Sequence, residues 1–213
     1  MINFVKGCSI KNANNLYEEY EIKDNMILAN VNAEKILNLI FEFIDMQKDD
    51  EDLFFFLEVP CNEEDESVIK EATETGVGVI SEFHKDVYYL DYVSKQDMKK
   101  LIEPIKEILI NDGMTGFGVG NLDMGDEIGK YKYNQVVLYF KDKIKEYENI
   151  FIENGIKKNQ ERIAPEKIIN EENFGVCEIY TSENGENIYS IIENFKKMFK
   201  GFYKAETRVE WKI

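Results

Sequence analysis

The sequence predicts an α+β fold: a mixed, largely antiparallel sheet with about four helices packed mainly on one face. Three observations carry this reading. Four segments repeat their apolar residues with the 3.6-residue period of a helix, and short runs rich in aromatic and β-branched residues lie between them. Strands and helices interleave without strict β-α-β-α regularity, which argues against a purely parallel sheet. The C-terminus alternates, with Tyr203, Ala205, Thr207, Val209 and Trp211 on one face and Lys204, Glu206, Arg208 and Glu210 on the other. A period of two predicts a strand with one buried and one wet face.

Taken in order, Met26 to Val31 reads as a strand. Ile36, Leu39, Ile40, Phe43 and Ile44 then repeat at helical spacing, with Asn32 placed as an N-cap. Leu53 to Val59 is an apolar run between acidic clusters and reads as a buried strand with solvated ends. Val87 to Tyr92 is the next strand. A second helical stripe (Met98, Leu101, Ile102, Ile105, Ile108, Leu109) follows Ser94 and closes near Gly113. Pro104 lies inside it and predicts a kink or two abutting pieces. Thr115 to Gly120 and Gln135 to Phe140 read as strands, and Asp142 to Asn154 as a helix with Ile144, Tyr147 and Phe151 on one face and Gly155 behind it. Residues 156–174 are polar and irregular, with a short helix expected after Pro165. Val176 to Tyr180 is a strand, and Ile188, Ile191, Ile192, Phe195 and Phe199 form the last helical stripe, closed by Gly201 as a left-handed cap. The expectation is a single domain over 1–213, with 76 and 156–175 as the places where a subdomain boundary would fall.

Charge is the dominant compositional feature. The chain has 26 Lys plus Arg against 42 Asp plus Glu, a net charge of −16, and one His in 213 residues. Residues 1–70 alone hold 16 acidic and 6 basic side chains. Such a field repels nucleic acid and anionic membranes and attracts basic partners. A hydrophobic fraction of 44% supplies a substantial core, so the charge does not imply disorder. Cys8, Cys61 and Cys177 are odd in number and far apart, which suits reduced thiols better than a disulfide framework. With no secretory leader pattern at Met1–Gly7 and no apolar run of membrane-spanning length, a cytoplasmic protein is expected.

Chemistry-bearing motifs are sparse. Six of 13 glycines fall between Gly113 and Gly129, but Gly116-Phe-Gly118-Val-Gly120 is not a phosphate-binding G-x-G-x-x-G and no G-K-[ST] follows. The better reading is a strand whose glycines permit a bulge or close packing. Asn121, Asp123, Asp126 and Glu127 cluster hard oxygen ligands in the adjoining loop, at a spacing that fails the EF-hand pattern. His84, between Phe83 and Lys85, lacks the context of a nucleophile elbow and reads as a core-edge residue. Cys61 has no basic neighbour to activate it. The acidic clusters either keep a strand edge solvated or form a docking surface for a cationic protein.

The stretches Phe117-Gly-Val-Gly-Asn121, Gly125-Asp-Glu-Ile128 and Lys130-Tyr-Lys-Tyr-Asn134, with Phe202-Tyr-Lys-Ala-Glu206, resemble uncharacterised cytosolic proteins of Gram-positive bacteria. Some proteins of this kind look like immunity proteins of polymorphic toxin systems. The resemblance spans residues 83–208, rests on a loop and not on a catalytic signature, and transfers no functional residues.

The functional expectation is therefore a non-enzymatic acidic binding protein of the immunity or antitoxin type. It would neutralise a basic protein such as a nuclease toxin, because a nuclease must itself be basic to hold its substrate. The expected contacts are Asp49, Asp50, Asp52, Glu63, Glu64, Asp65 and Glu66, with Asp123, Asp126 and Glu127 as a second patch. No cofactor is expected in this reading. The alternative is a metal-assisted hydrolase built on the Asn121–Glu127 loop.

Overall fold

In the computed structural model, nine strands join one sheet. The structure describes residues 1–61, 83–169 and 174–210. The strands in chain order are β1 Cys8–Ile10, β2 Glu19–Lys23, β3 Met26–Asn30, β4 Leu53–Pro60, β5 Phe83–Val93, β6 Gly116–Asn121, β7 Glu127–Lys130, β8 Gln135–Tyr139, β9 Lys157–Lys158, β10 Gly175–Cys177 and β11 Phe202–Glu210. The large sheet runs β11-β5-β4-β6-β7-β8-β3-β2-β9, and β1 and β10 form a separate pair. All neighbours in the large sheet are antiparallel except β2 and β9. This is the mixed, largely antiparallel α+β architecture that the sequence patterns predict.

The helices are α1 Ile36–Met46, α2 Lys95–Ile102, α3 Lys106–Asn111, α4 Ile144–Glu153 and α5 Ile188–Met198. The five apolar stripe residues of α1 are all fully buried. Burying that many large side chains contributes roughly 10 kcal/mol before conformational entropy is set against it. Pro104 lies in a 3₁₀ turn, Glu103–Ile105, and splits one stripe into α2 and α3, as a residue lacking an N–H must. Ser94 caps α2 by accepting from the Asp97 amide. Asn32 precedes a 3₁₀ turn instead of capping α1, because its side-chain oxygen accepts from Asn3 N at 2.8 Å. The α5 start carries a capping box between Asn187 and Ser190.

Strand alternation divides the sheet into two unlike faces. The inner face carries Leu53, Phe55, Leu57 and Val59 of β4, Phe117 and Val119 of β6, Ile128 of β7, and Val136 and Leu138 of β8, all buried. These join the buried residues of the five described helices in one hydrophobic cluster. Phe55 meets Phe195 of α5 at 6.1 Å between ring centroids, and Phe43 of α1 stacks on Tyr147 of α4 at 5.6 Å. A smaller cluster, Ile2, Ile10 and Leu16, packs with Ile163, Ile168 and Ile169.

Three sequence expectations are corrected. Gly201 is not a left-handed cap: the positive-φ glycines are Gly125, Gly155 and Gly185. Ile144 at the start of α4 is exposed, while Ile150 joins Tyr147 and Phe151 in the core. Strand β11 does not bury the face carrying Tyr203, Ala205 and Thr207, because it is the sheet's edge and a bulge between Lys204 and Glu206 breaks its period. As a result Lys204 and Thr207 reach the same partner, Asp86 Oδ1, each at 2.7 Å. The irregular stretch after Ile156 carries the expected short helix, a 3₁₀ turn over Pro165–Lys167, and is tied to the sheet. Lys157 and Lys158 pair with β2, and the Arg162 guanidinium donates to Asn30 Oδ1 at 2.6 Å and Glu21 Oε1 at 3.2 Å. The other place considered for a boundary, near residue 76, lies outside the described residues.

Candidate functional site

The site grows out of the glycine run. In β6 the residues of the outer face are Gly116, Gly118 and Gly120, and in β7 Gly129 lies across from Gly118. These positions form a floor with no side chains, onto which aromatic rings of β4 fold down. A Cβ at Gly120 would sit 2.1 Å from Phe54 Cζ, and one at Gly129 would sit 2.7 Å from Phe56 Cζ. The same atom at Gly118 would meet the backbone oxygen of Ile128 at 2.2 Å. The glycines thus allow close packing, as expected, but against phenylalanine rings and a neighbouring strand and not against a helix.

On this floor the rings form a continuous layer. Phe54 lies 5.8 Å from Tyr89 and 6.4 Å from Phe56, Phe56 lies 6.5 Å from Tyr131, and Tyr89 lies 6.2 Å from Tyr203. Each described helix packs on the opposite face, so this layer faces away from them; Phe56 at its centre is buried by its neighbours, while Tyr203 is exposed. A groove of about 420 Å³ opens across it, lined among others by Phe56, Glu58, Tyr89, Glu127, Tyr131 and Arg208. The Arg208 guanidinium donates to Glu58 Oε1 at 2.9 Å and Glu206 Oε1 at 2.6 Å. Burial, then the Glu58 carboxylate, pushes the Glu127 carboxyl above its usual range. Burial likewise raises the Tyr131 hydroxyl, which keeps it a neutral hydrogen-bond donor.

One ring at the rim is held in an unfavourable conformation. Tyr92 has φ +60° and is 77% exposed, at the bulge where β5 slips against β4 between Leu53 and Phe55. A bulky residue in the left-handed region costs about 1–2 kcal/mol, and nothing is gained by burying this one. Strain of this kind concentrates at functional surfaces.

The acidic residues singled out in the sequence part company here. Asp49, Asp50 and Asp52 are exposed ahead of β4, and Asp49 has Lys95 Nζ at 3.8 Å. Their neighbour Glu51 turns inward, where Oε2 accepts from Lys48 N at 2.9 Å and Asn121 Nδ2 at 3.0 Å. The Leu122 amide donates to the Asp52 carbonyl at 2.9 Å, which brings exposed Asp123 beside the first cluster. Asp123 of the second expected patch therefore shares one acidic edge with Asp49, Asp50 and Asp52 of the first, and Phe54 continues from Asp52 onto the aromatic layer. Glu63, Glu64, Asp65 and Glu66 lie outside the described residues.

Asp126 is corrected: it is fully buried and is no surface contact. Its Oδ1 accepts from Lys141 N at 2.8 Å and its Oδ2 from Tyr147 Oη at 2.7 Å. Asn121 is buried too, its Oδ1 accepting from the Asp123 and Met124 amides at 2.9 Å in an Asx turn. Glu127 is half-buried on β7 and belongs to the groove, on the far side of the turn from Asp123. The loop that suggested a metal ligand set is instead a hairpin turn whose inward oxygens already have partners. Among the described residues no group of three or more His, Cys, Asp or Glu is arranged to hold a metal ion.

The sequence reading missed the aromatic layer itself. Its signal was present in the alternation Phe54, Phe56, Glu58 against Gly116, Gly118 and Gly120, but only the antiparallel register pairs the two. His84 is buried at the edge of the core on β5. Among the described residues no helix is long and apolar enough to cross a membrane. A scan against protein-family models and searches of curated proteins and of solved structures found no match to this chain.

Proposed function

We propose that this chain is a non-enzymatic binding protein of the immunity or antitoxin type, which neutralises a basic protein partner by docking it on the outer face of its sheet. The observation that carries the reading is the outward-facing aromatic layer bordered by an acidic edge. Tyrosine, phenylalanine and arginine dominate binding energy at protein interfaces because they bury large area at low entropic cost. Here Tyr89, Tyr92, Tyr131 and Tyr203 supply the anchors, and Asp49, Asp50, Asp52 and Asp123 supply the charge that steers a cation. A net charge of −16 accelerates that encounter and makes it sensitive to salt. A toxin that binds nucleic acid is the class of basic protein such a field suits best.

The test is affinity capture of partners from the encoding organism with the wild-type protein and two variants, eluted along a salt gradient. A basic protein held by wild type, lost with Tyr92→Ala/Tyr131→Ala and released at lower salt with Asp49→Asn/Asp50→Asn/Asp52→Asn, supports the reading. Retention of the same partner by the tyrosine variant would move the docking surface off this face. Capture of no basic protein at low salt would sink the inhibitor reading itself.

A further inference from the structure

The two-stranded sheet away from this face carries a thiol pair. Cys8 of β1 and Cys177 of β10 stand directly opposite each other in antiparallel register. Their sulfur atoms are 3.4 Å apart, although 169 positions separate them in the chain. The flanking backbone bonds, Glu178 N to Gly7 O at 2.8 Å and Lys11 N to Phe174 O at 3.1 Å, fall on alternate pairs. Cys8 and Cys177 therefore occupy a non-hydrogen-bonded pair, where opposed Cα atoms approach to about 4.5 Å and side chains are closest. That spacing lies within the range of about 4.4–6.8 Å that a disulfide accepts.

The two thiols differ in access and surroundings. Cys177 is partly exposed, whereas Cys8 is buried and hydrogen-bonds the Gly113 carbonyl at 3.5 Å. Tyr133 packs its hydroxyl beside Cys177, 2.5 Å from where a Cβ on Gly175 would be. The hydrogen bond shared between the two sulfurs, helped by Tyr133 and Lys132, draws the Cys177 thiol below its usual value. The same pairing and burial drive the Cys8 thiol far up. The third cysteine, Cys61, is buried elsewhere with Asp86 Oδ1 3.4 Å from its sulfur.

We propose that Cys177 is a hydroperoxide-reactive thiol and that Cys8 resolves the product into a reversible disulfide, which ties the N-terminal strand to β10. The Cys177 thiolate attacks one peroxide oxygen, so an S–O bond forms, the O–O bond breaks and the leaving oxygen takes a proton. The Cys8 sulfur then attacks the sulfenic sulfur. An S–S bond forms, the S–O bond breaks, and the Cys8 proton leaves with that oxygen as water. The sulfur pair loses two electrons and the hydroperoxide gains them. This inference stands independently of the docking surface.

The test uses the full reduced chain and hydrogen peroxide, with peptide mapping under non-reducing conditions. The expected result is a Cys8–Cys177 linked peptide lighter by two hydrogens, reversed by dithiothreitol, with the thermal midpoint of the bridged form raised by about 10 °C. In Cys8→Ser the sulfenic acid on Cys177 should persist and be trapped by dimedone. In Cys177→Ser, Cys8 should stay unlabelled. Direct oxidation of wild-type Cys177 to the sulfinic acid without a linked peptide, or labelling of Cys8 or Cys61 ahead of Cys177, would overturn the proposal.

Discussion

Replacing single glycines of the aromatic floor by alanine should produce a graded loss of stability that follows what each new methyl would meet. At Gly118 the obstacle is backbone, Ile128 O at 2.2 Å, with Phe56 Cε1 at 2.6 Å. That is about 1 Å inside any tolerable carbon–oxygen contact, so β6 and β7 must part and give up ladder hydrogen bonds. Overpacking in a well-packed site costs about 1–3 kcal/mol, and the lost backbone bonds add to it, so Gly118→Ala should cost about 3 kcal/mol or more. At Gly120 the obstacle is the end of the half-buried Phe54 ring at 2.1 Å, which can swing outward. A cost of about 1–2 kcal/mol is expected there. At Gly116 the nearest atom is Glu58 Cβ at 3.4 Å, an ordinary contact, and the change should lie within about 0.5 kcal/mol of wild type. Urea unfolding at constant slope reads all three as shifts of midpoint. The Phe54→Ala background supplies the control, since the Gly120 penalty should largely vanish once the ring is gone while the Gly118 penalty remains. Equal costs at Gly116 and Gly118, or a Gly120 penalty indifferent to Phe54, would refute the account of a glycine floor carrying the aromatic layer.

Three further outcomes are expected. Asp126→Ala should cost about 3 kcal/mol in chemical denaturation, because it strands the Tyr147 hydroxyl and the Lys141 amide, while Asp123→Asn, at an exposed position, should change stability by no more than about 0.5 kcal/mol. Tyr92→Gly should raise stability by up to about 1 kcal/mol through relief of the left-handed conformation, while weakening partner capture; a fall in stability would show that the ring has a packing role. Because the folded protein holds the Glu127 carboxyl above its unfolded value, it binds more protons than the unfolded chain between the two values. Stability from this group is thus present at low pH and lost as pH rises through the folded value, so Glu127→Gln should match wild type near pH 4 and exceed it at pH 7 in thermal midpoint. A variant less stable than wild type at pH 7 would contradict that sign.

Local pattern determined a good part of this protein. Helical periodicity located the buried stripes of α1 and α5, and Pro104 marked where a single stripe breaks in two, because spacing and a missing donor are properties of neighbouring residues. The acidic excess also belongs to the sequence outright. What local pattern could not supply was which side chains meet. Asp126 and Asp123 are three residues apart in one polar turn, yet one is buried against Tyr147 and the other solvated, and only the direction of the hairpin decides it. Tyr203 and Thr207 alternate as a buried face would, but β11 lies at the sheet's edge, where no described element covers them. The aromatic layer needs Phe54 and Phe56 opposite Gly120 and Gly118, and the thiol pair needs Cys8 opposite Cys177. Both depend on strand register between distant segments, which forms only when the hydrophobic faces of many elements are buried together.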